Sequence, residues 1–131
     1  MNTTLTLVLY MAIITWALIV VASLIRAQAW TLEGLLVAFG NRDNLSEATP
    51  FAGRAERTAR NTLDNFVLFA AIALAAHALS PANPQVAQGA QVFFIARLVY
   101  IPVYYVGLKF VRTTVWTISL VGLGMMLAAV L

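Results

Sequence analysis

The sequence has no cysteine and only one histidine. Without cysteine there is no disulfide framework, no thiolate metal site and no cysteine nucleophile. The single histidine, His77, rules out a multi-histidine metal site within one chain. Charge is scarce too: 10% of the 131 residues are charged, against about a quarter in soluble domains. Hydrophobic residues make up 62%, and the mean hydropathy is +0.88. This balance excludes an ordinary soluble domain. It equally excludes intrinsic disorder, which has the reverse composition. A chain of this length has room for one domain. A soluble fold of that size cannot hide so many apolar side chains, so lipid covers some of them.

Four apolar stretches are present. Leu5 to Ile25 is 21 residues without a charge, which at about 1.5 Å per residue spans a hydrocarbon core of about 30 Å. Ala27-Gln28-Ala29 resembles a cleavage site, but the stretch is long for a signal peptide and lacks a basic leader, so the segment is expected to stay. Further spans are expected at residues 58–79, 86–106 and 113–131. The sequence thus reads as an all-α membrane protein, a single four-transmembrane-helix domain over 1–131 that contacts the lipid bilayer.

The segment 26–57 holds most of the polar character: Arg26, Glu33, Arg42, Asp43, Glu47, Arg54, Glu56 and Arg57. Gly40, Asn41, Asn44 and Pro50 mark turns. Trp30, Leu32, Leu35, Leu36 and Phe39 fit either a short interfacial helix or a loop packed on the bundle. Asn2-Thr3-Thr4 and Asn44-Leu45-Ser46 match a weak glycosylation pattern. Orientation follows from counting basic residues. The 26–57 and 107–112 segments share one side and carry six Lys or Arg; the other side carries none. The long loop is expected to be cytoplasmic and both termini periplasmic or lumenal. Topology then explains the pI near 9.8, and no nucleic acid is implied.

Polar residues inside the spans carry the chemistry. Arg57, Arg60, Asn61 and Asp64 recur at spacings of three, one and three, which confines them to an arc of about 100°. Arg60 and Asp64 form an i, i+4 pair. Arg97 lies about ten residues from the cytoplasmic end of its span, roughly 15 Å deep. A lone arginine there costs about 2.5–3.5 kcal/mol even on lenient scales, so it needs a partner or a wet cavity. Asp64 is the only acidic residue within the four stretches and is the expected partner. Tyr100 and Tyr104 follow on the Arg97 face, and Pro102 implies a kink that opens space beside it. Two polar stripes opening to one side predict a basic pocket for an anionic, carboxylate-bearing ligand. The plainer alternative is a buried Arg97–Asp64 pair that only fixes helix register. Arg54, Tyr105, Trp116, Trp30 and His77 read as interface or packing residues. The alanine run 70–76 allows close helix approach.

The stretch Arg57-Thr58-Ala59-Arg60-Asn61-Thr62-Leu63-Asp64-Asn65-Phe66-Val67-Leu68-Phe69 resembles the MAPEG superfamily, the membrane-associated proteins in eicosanoid and glutathione metabolism. The likeness is to a bacterial-type, microsomal glutathione transferase-like member. Arg97, Tyr104 and the basic linker Lys109 to Arg112 before the last span extend it over all four helices. The resemblance implies a homotrimer with glutathione, or another low-molecular-weight thiol, bound as co-substrate at each subunit interface. Carried over, Arg57, Arg60, Asn61, Asp64, Arg97, Tyr100 and Tyr104 form the binding set, and Arg112 stabilises the thiolate. The chemistry fits, since glutathione has two carboxylates and one ammonium. A guanidinium beside the sulfur lowers the thiol pKa, and the thiolate is the nucleophile. The sequence departs from the family at Asp64, where relatives have Glu, at Ala59 for a common His, and at Leu68 for a frequent Pro.

Three readings follow. The leading one is a glutathione transferase- or peroxidase-like enzyme acting on a lipophilic small molecule from the bilayer. The second is a non-catalytic four-helix subunit that packs with a partner protein or binds lipid. The third is a proton or anion relay through Arg97, against which the apolar run Val92 to Ala96 speaks.

Overall fold

The computed structural model describes residues 2–42, 45 and 47–131. The Asn44-Leu45-Ser46 pattern, the turn residue Asn44 and the charge of Asp43 therefore lie outside the described residues. The described residues form five helices: α1 (Thr3–Ala27), α2 (Leu32–Phe39), α3 (Pro50–Leu79), α4 (Pro84–Val106) and α5 (Lys109–Val130). Four of them are long and apolar enough to cross a membrane. The protein is an all-helical, multi-pass membrane bundle.

Local chemistry fixes the helix ends. Asn2, Thr31, Thr49 and Asn83 each cap a helix by accepting a backbone N–H through the side chain. Pro50 and Pro84 occupy the first turn, where a missing N–H costs nothing. Gly107, at φ 89°, ends α4 in the left-handed region, and α5 begins two residues later. Such caps matter here because unpaired backbone groups are expensive in lipid.

Two boundaries differ from the sequence reading. The third helix starts at Pro50, eight residues before 58, so Arg54, Glu56 and Arg57 are helical. Thr49-Pro50 is a capping pair followed by Phe51-Ala52, a start signal hidden among the polar residues. Likewise α5 starts at Lys109, so Arg112 sits in its first turn rather than in a linker. The alternatives for 30–39 resolve as a helix, α2. It buries only Gly34, where glycine is required because a Cβ would collide with the Gln28 carbonyl oxygen.

The apolar core lies toward the non-polar end of the spans. Phe69 and Phe93 stack face to face, with centroids 4.3 Å apart. Met11, Ala73, Ala76, Ala90, Leu123 and Met126 close around them. Ala73 and Ala76 pack inward while Ala71 and Ala75 face outward, so the alanine run serves two surfaces. Leu9, Ile13, Trp16, Val20 and Leu24 form an exposed apolar stripe along α1. The α4–α5 pair is joined by polar clasps at its far end: Gln85 Nε2 donates to the Met125 carbonyl (3.0 Å) and Asn83 Nδ2 to that of Ala129 (3.2 Å).

These two helices meet at backbone distance. A Cβ at Gly122 would lie 2.6 Å from the Phe93 nitrogen, and one at Gly89 would lie 2.7 Å from the Gly122 oxygen. Neither obstacle is a movable side chain. Gly122→Leu should therefore split the pair and lower the melting temperature in detergent, at a cost of about 3 kcal/mol or more. Gly124→Leu, whose Cβ meets nothing within 4 Å, should leave it unchanged. Thermal unfolding followed by circular dichroism checks both.

Candidate functional site

The polar residues gather where α3, α4 and α5 converge. On α3, the face toward α4 is set by Thr58, Thr62, Asn65 and Phe69, all buried. Their spacing of four, three and four is helical. Arg97 projects from α4 against this face and is 0% exposed. Its Nη2 donates to Thr62 Oγ1 at 2.9 Å. Its guanidinium carbon lies 4.1 Å from the centroid of the Tyr100 ring.

The expected Arg97–Asp64 ion pair does not form. Asp64 is exposed, and among the described residues no ion pair joins it to Arg97 or Arg60. The reason is angular. Asp64 follows Thr62 by two residues, about 200° around the helix, so a helix that turns Thr62 toward Arg97 turns Asp64 away. An ion pair does form nearer the loop, between Arg26 and Glu56 (3.5 Å).

From Arg97 a ladder of rings and guanidiniums runs toward the α5 N-terminus. The Tyr100 and Tyr104 rings are 5.5 Å apart and tilted by 57°. The Arg112 guanidinium carbon lies 4.7 Å from the Tyr104 centroid. Arg57 Nε donates to Tyr104 Oη at 3.1 Å. That hydroxyl, already accepting from a cation, keeps its own proton to donate. Cation–ring contacts of this kind contribute about 0.5–2 kcal/mol each as water is removed.

Beside the ladder lies a cavity of about 360 Å³, lined by Asn61, Tyr100, Tyr104, Arg112, Thr113 and Trp116. The size falls within the roughly 300–1,000 Å³ of small-molecule pockets. The α3 stripe divides around it. Asn61 lines this cavity, and Arg57 reaches its Tyr104 edge. Arg60 instead lines a second groove of about 400 Å³ with Ala22, Ser23, Arg42, Glu56 and Leu63, between α1 and α3. Arg97 is behind Tyr100 and is not a lining residue. The space expected beside it is filled, and α4 continues through Pro102 without a break.

Several residues of the site were not singled out by the sequence reading. Asn65 Nδ2 donates to the Asn61 carbonyl (2.8 Å) and side-chain oxygen (3.3 Å), which leaves the Asn61 amide hydrogens for the cavity. Thr62 is the hydrogen-bond partner of Arg97. Both were legible as the i+4 neighbour of Asn61 and the i+4 neighbour of Thr58. Trp116 was read as packing, yet it stands one turn beyond Arg112 on the cavity wall. Arg54 Nε donates to the Tyr105 carbonyl at 2.8 Å, latching α3 to the end of α4.

Asn65→Leu should release the Asn61 side chain without touching the cavity. Any ligand that uses Asn61 should then bind about fivefold to tenfold more weakly, the value of about one neutral hydrogen bond. Calorimetric titration beside a melting curve separates this from loss of fold.

No curated protein matches the chain. The profile of the MAPEG family matches residues 3–131. Proteins of that family are membrane helical bundles that act generally in eicosanoid and glutathione metabolism and generally use glutathione as substrate or cofactor, although some are non-catalytic. With four helices long and apolar enough to span a membrane, a polar cavity edged by Arg57 and Arg112 between the last three, and a profile match along essentially its whole length, this chain belongs to the MAPEG family.

Proposed function

We propose that the protein is a thiol-activating membrane enzyme of the glutathione transferase or peroxidase type. Its 1–131 domain acts as a homotrimer with the cavity mouth on the cytoplasmic side. The observation that carries this reading is the pair of guanidiniums, Arg57 and Arg112, that bracket Tyr104 at the edge of a cavity of suitable size. Arg57, Asn61 and Arg112 offer donors to carboxylates and sulfur. Arg60 and Asp64 face outward from the same helix. In the trimer they complete the pocket of the neighbouring subunit, with Asp64 taking the glutathione ammonium. That division gives the exposed charges of α3 a reason to face a membrane-embedded surface.

In this reading Arg112 holds the sulfur as thiolate, and the thiol proton leaves to water. The thiolate lone pair forms the new bond to a lipophilic electrophile or to the terminal oxygen of a hydroperoxide. The leaving group departs with the electron pair of the broken bond. A non-catalytic subunit, by contrast, calls for Arg97 and Asp64 paired and no room for a tripeptide. A relay calls for polar groups beyond Arg97, where Phe93 instead stacks on Phe69.

Glutathione titrated into the detergent-purified protein should give saturable ultraviolet thiolate absorbance. Arg112→Ala should abolish that absorbance while retaining binding within a few-fold. Asp64→Asn should weaken glutathione binding about tenfold or more, as expected for a charged hydrogen bond, and should leave thiols without an ammonium unaffected. A flat wild-type titration, with no heat of binding, sinks the reading.

A further inference from the structure

The proposed mechanism leaves the most deeply buried cation unused. Arg97 is 0% exposed and makes one hydrogen bond, to Thr62. Its Nε and Nη1 are buried without a partner among the described residues, and no carboxylate there neutralises it. A buried charge without a counter-ion destabilises the fold that encloses it. Exchange for an apolar side chain of similar volume is commonly neutral or stabilising. Packing alone therefore does not account for an arginine at this position.

Its surroundings point to the cavity. Tyr100 takes the Arg97 guanidinium on its ring at 4.1 Å and forms part of the cavity wall. Arg97 therefore stands directly behind that wall. Charge–charge interactions reach farther in a water-poor interior than in solvent. A cation here raises the positive potential of the cavity without occupying it, and no ligand is needed to hold it in place.

We infer that Arg97 is a positioning residue and not a ligand: it holds the Tyr100 ring in the cavity wall and supplies, from behind it, an unneutralised positive charge that favours an anionic sulfur. This inference rests on the thiol-binding reading and assigns Arg97 a different part from the one the family resemblance implies. The fold thus carries a standing electrostatic cost that a bound anion relieves.

The test uses the full chain in detergent, with Arg97→Met, Arg97→Lys and wild type compared for melting temperature without thiol and for glutathione thiolate absorbance against pH. Arg97→Met should melt at or above wild type and bind glutathione within a few-fold. Its thiol midpoint should move up by about one pH unit, a tenfold loss of thiolate at neutral pH. Arg97→Lys, which keeps the charge, should recover most of the thiolate. If Arg97→Met does not fold, Arg97→Gln takes its place. A lower melting temperature with a wild-type midpoint would mark a merely structural residue and overturn the inference. So would equal loss of thiolate in the Lys and Met variants. A wild-type protein that forms no thiolate removes the underlying reading instead, so the two failures are distinct.

Discussion

A guanidinium enclosed in a membrane bundle, with a threonine hydroxyl and a tyrosine ring as its company, sets the terms for the surrounding structure. Hydrocarbon cannot solvate Arg97, so protein must surround it completely. The inner face of α3 is accordingly polar where it meets Arg97, with Thr58, Thr62 and Asn65, and turns aromatic one turn on at Phe69. On α4 the same face passes from Phe93 through Arg97 to Tyr100 and Tyr104. The bundle therefore has a dry half, built on stacked phenylalanines and close glycines, and a polar half that ends in the cavity. Arg97 marks the border between them.

Rigidity and openness are divided along the same line. Gly89 and Gly122 bring α4 and α5 into near backbone contact on the dry side, and the Asn83 and Gln85 clasps close that end. At the other end the hinge between these helices is only Gly107-Leu108. The first turn of α5 presents Arg112 into the space left between diverging side chains. The helices stay close at one end, and the side chains can be spaced at the other without loosening the fold.

Much of this was legible in the sequence because lipid imposes a simple code: long uncharged runs, punctuated by prolines and polar turns, with basic residues on one side. The four spans and two polar stripes that include Asn61, Tyr100 and Tyr104 follow from that code and from helical spacing, whereas Arg112 was pointed to by the family resemblance. The partner of Arg97 did not follow. Charge counting made Asp64 the only acid within reach by depth, whereas the choice depends on rotation about the α3 axis. That rotation is set by Phe69, Ala73 and Ala76 further along the same helix. A neutral hydroxyl at Thr62 gives no signal of its own in a sequence. The start of α3 was obscured for a different reason. Its first two turns carry Arg54, Glu56 and Arg57, so composition resembles a loop while Thr49-Pro50 marks a helix.

The length of α3 also ties the protein to the membrane around it. Thirty residues amount to about 45 Å at helical rise, well beyond the roughly 30 Å of a typical hydrocarbon layer. That surplus is long enough for Arg54 and Arg57, near one end, to reach headgroup depth with the alanine-rich end immersed. A helix set that way would hold the mouth of the cavity near the headgroups. A thicker bilayer would draw those guanidiniums toward hydrocarbon or tilt the helix to keep them wet. Under the proposed function, hydrophobic thickness as well as lipid chemistry would govern how far a membrane-dissolved molecule must rise to meet a water-borne one.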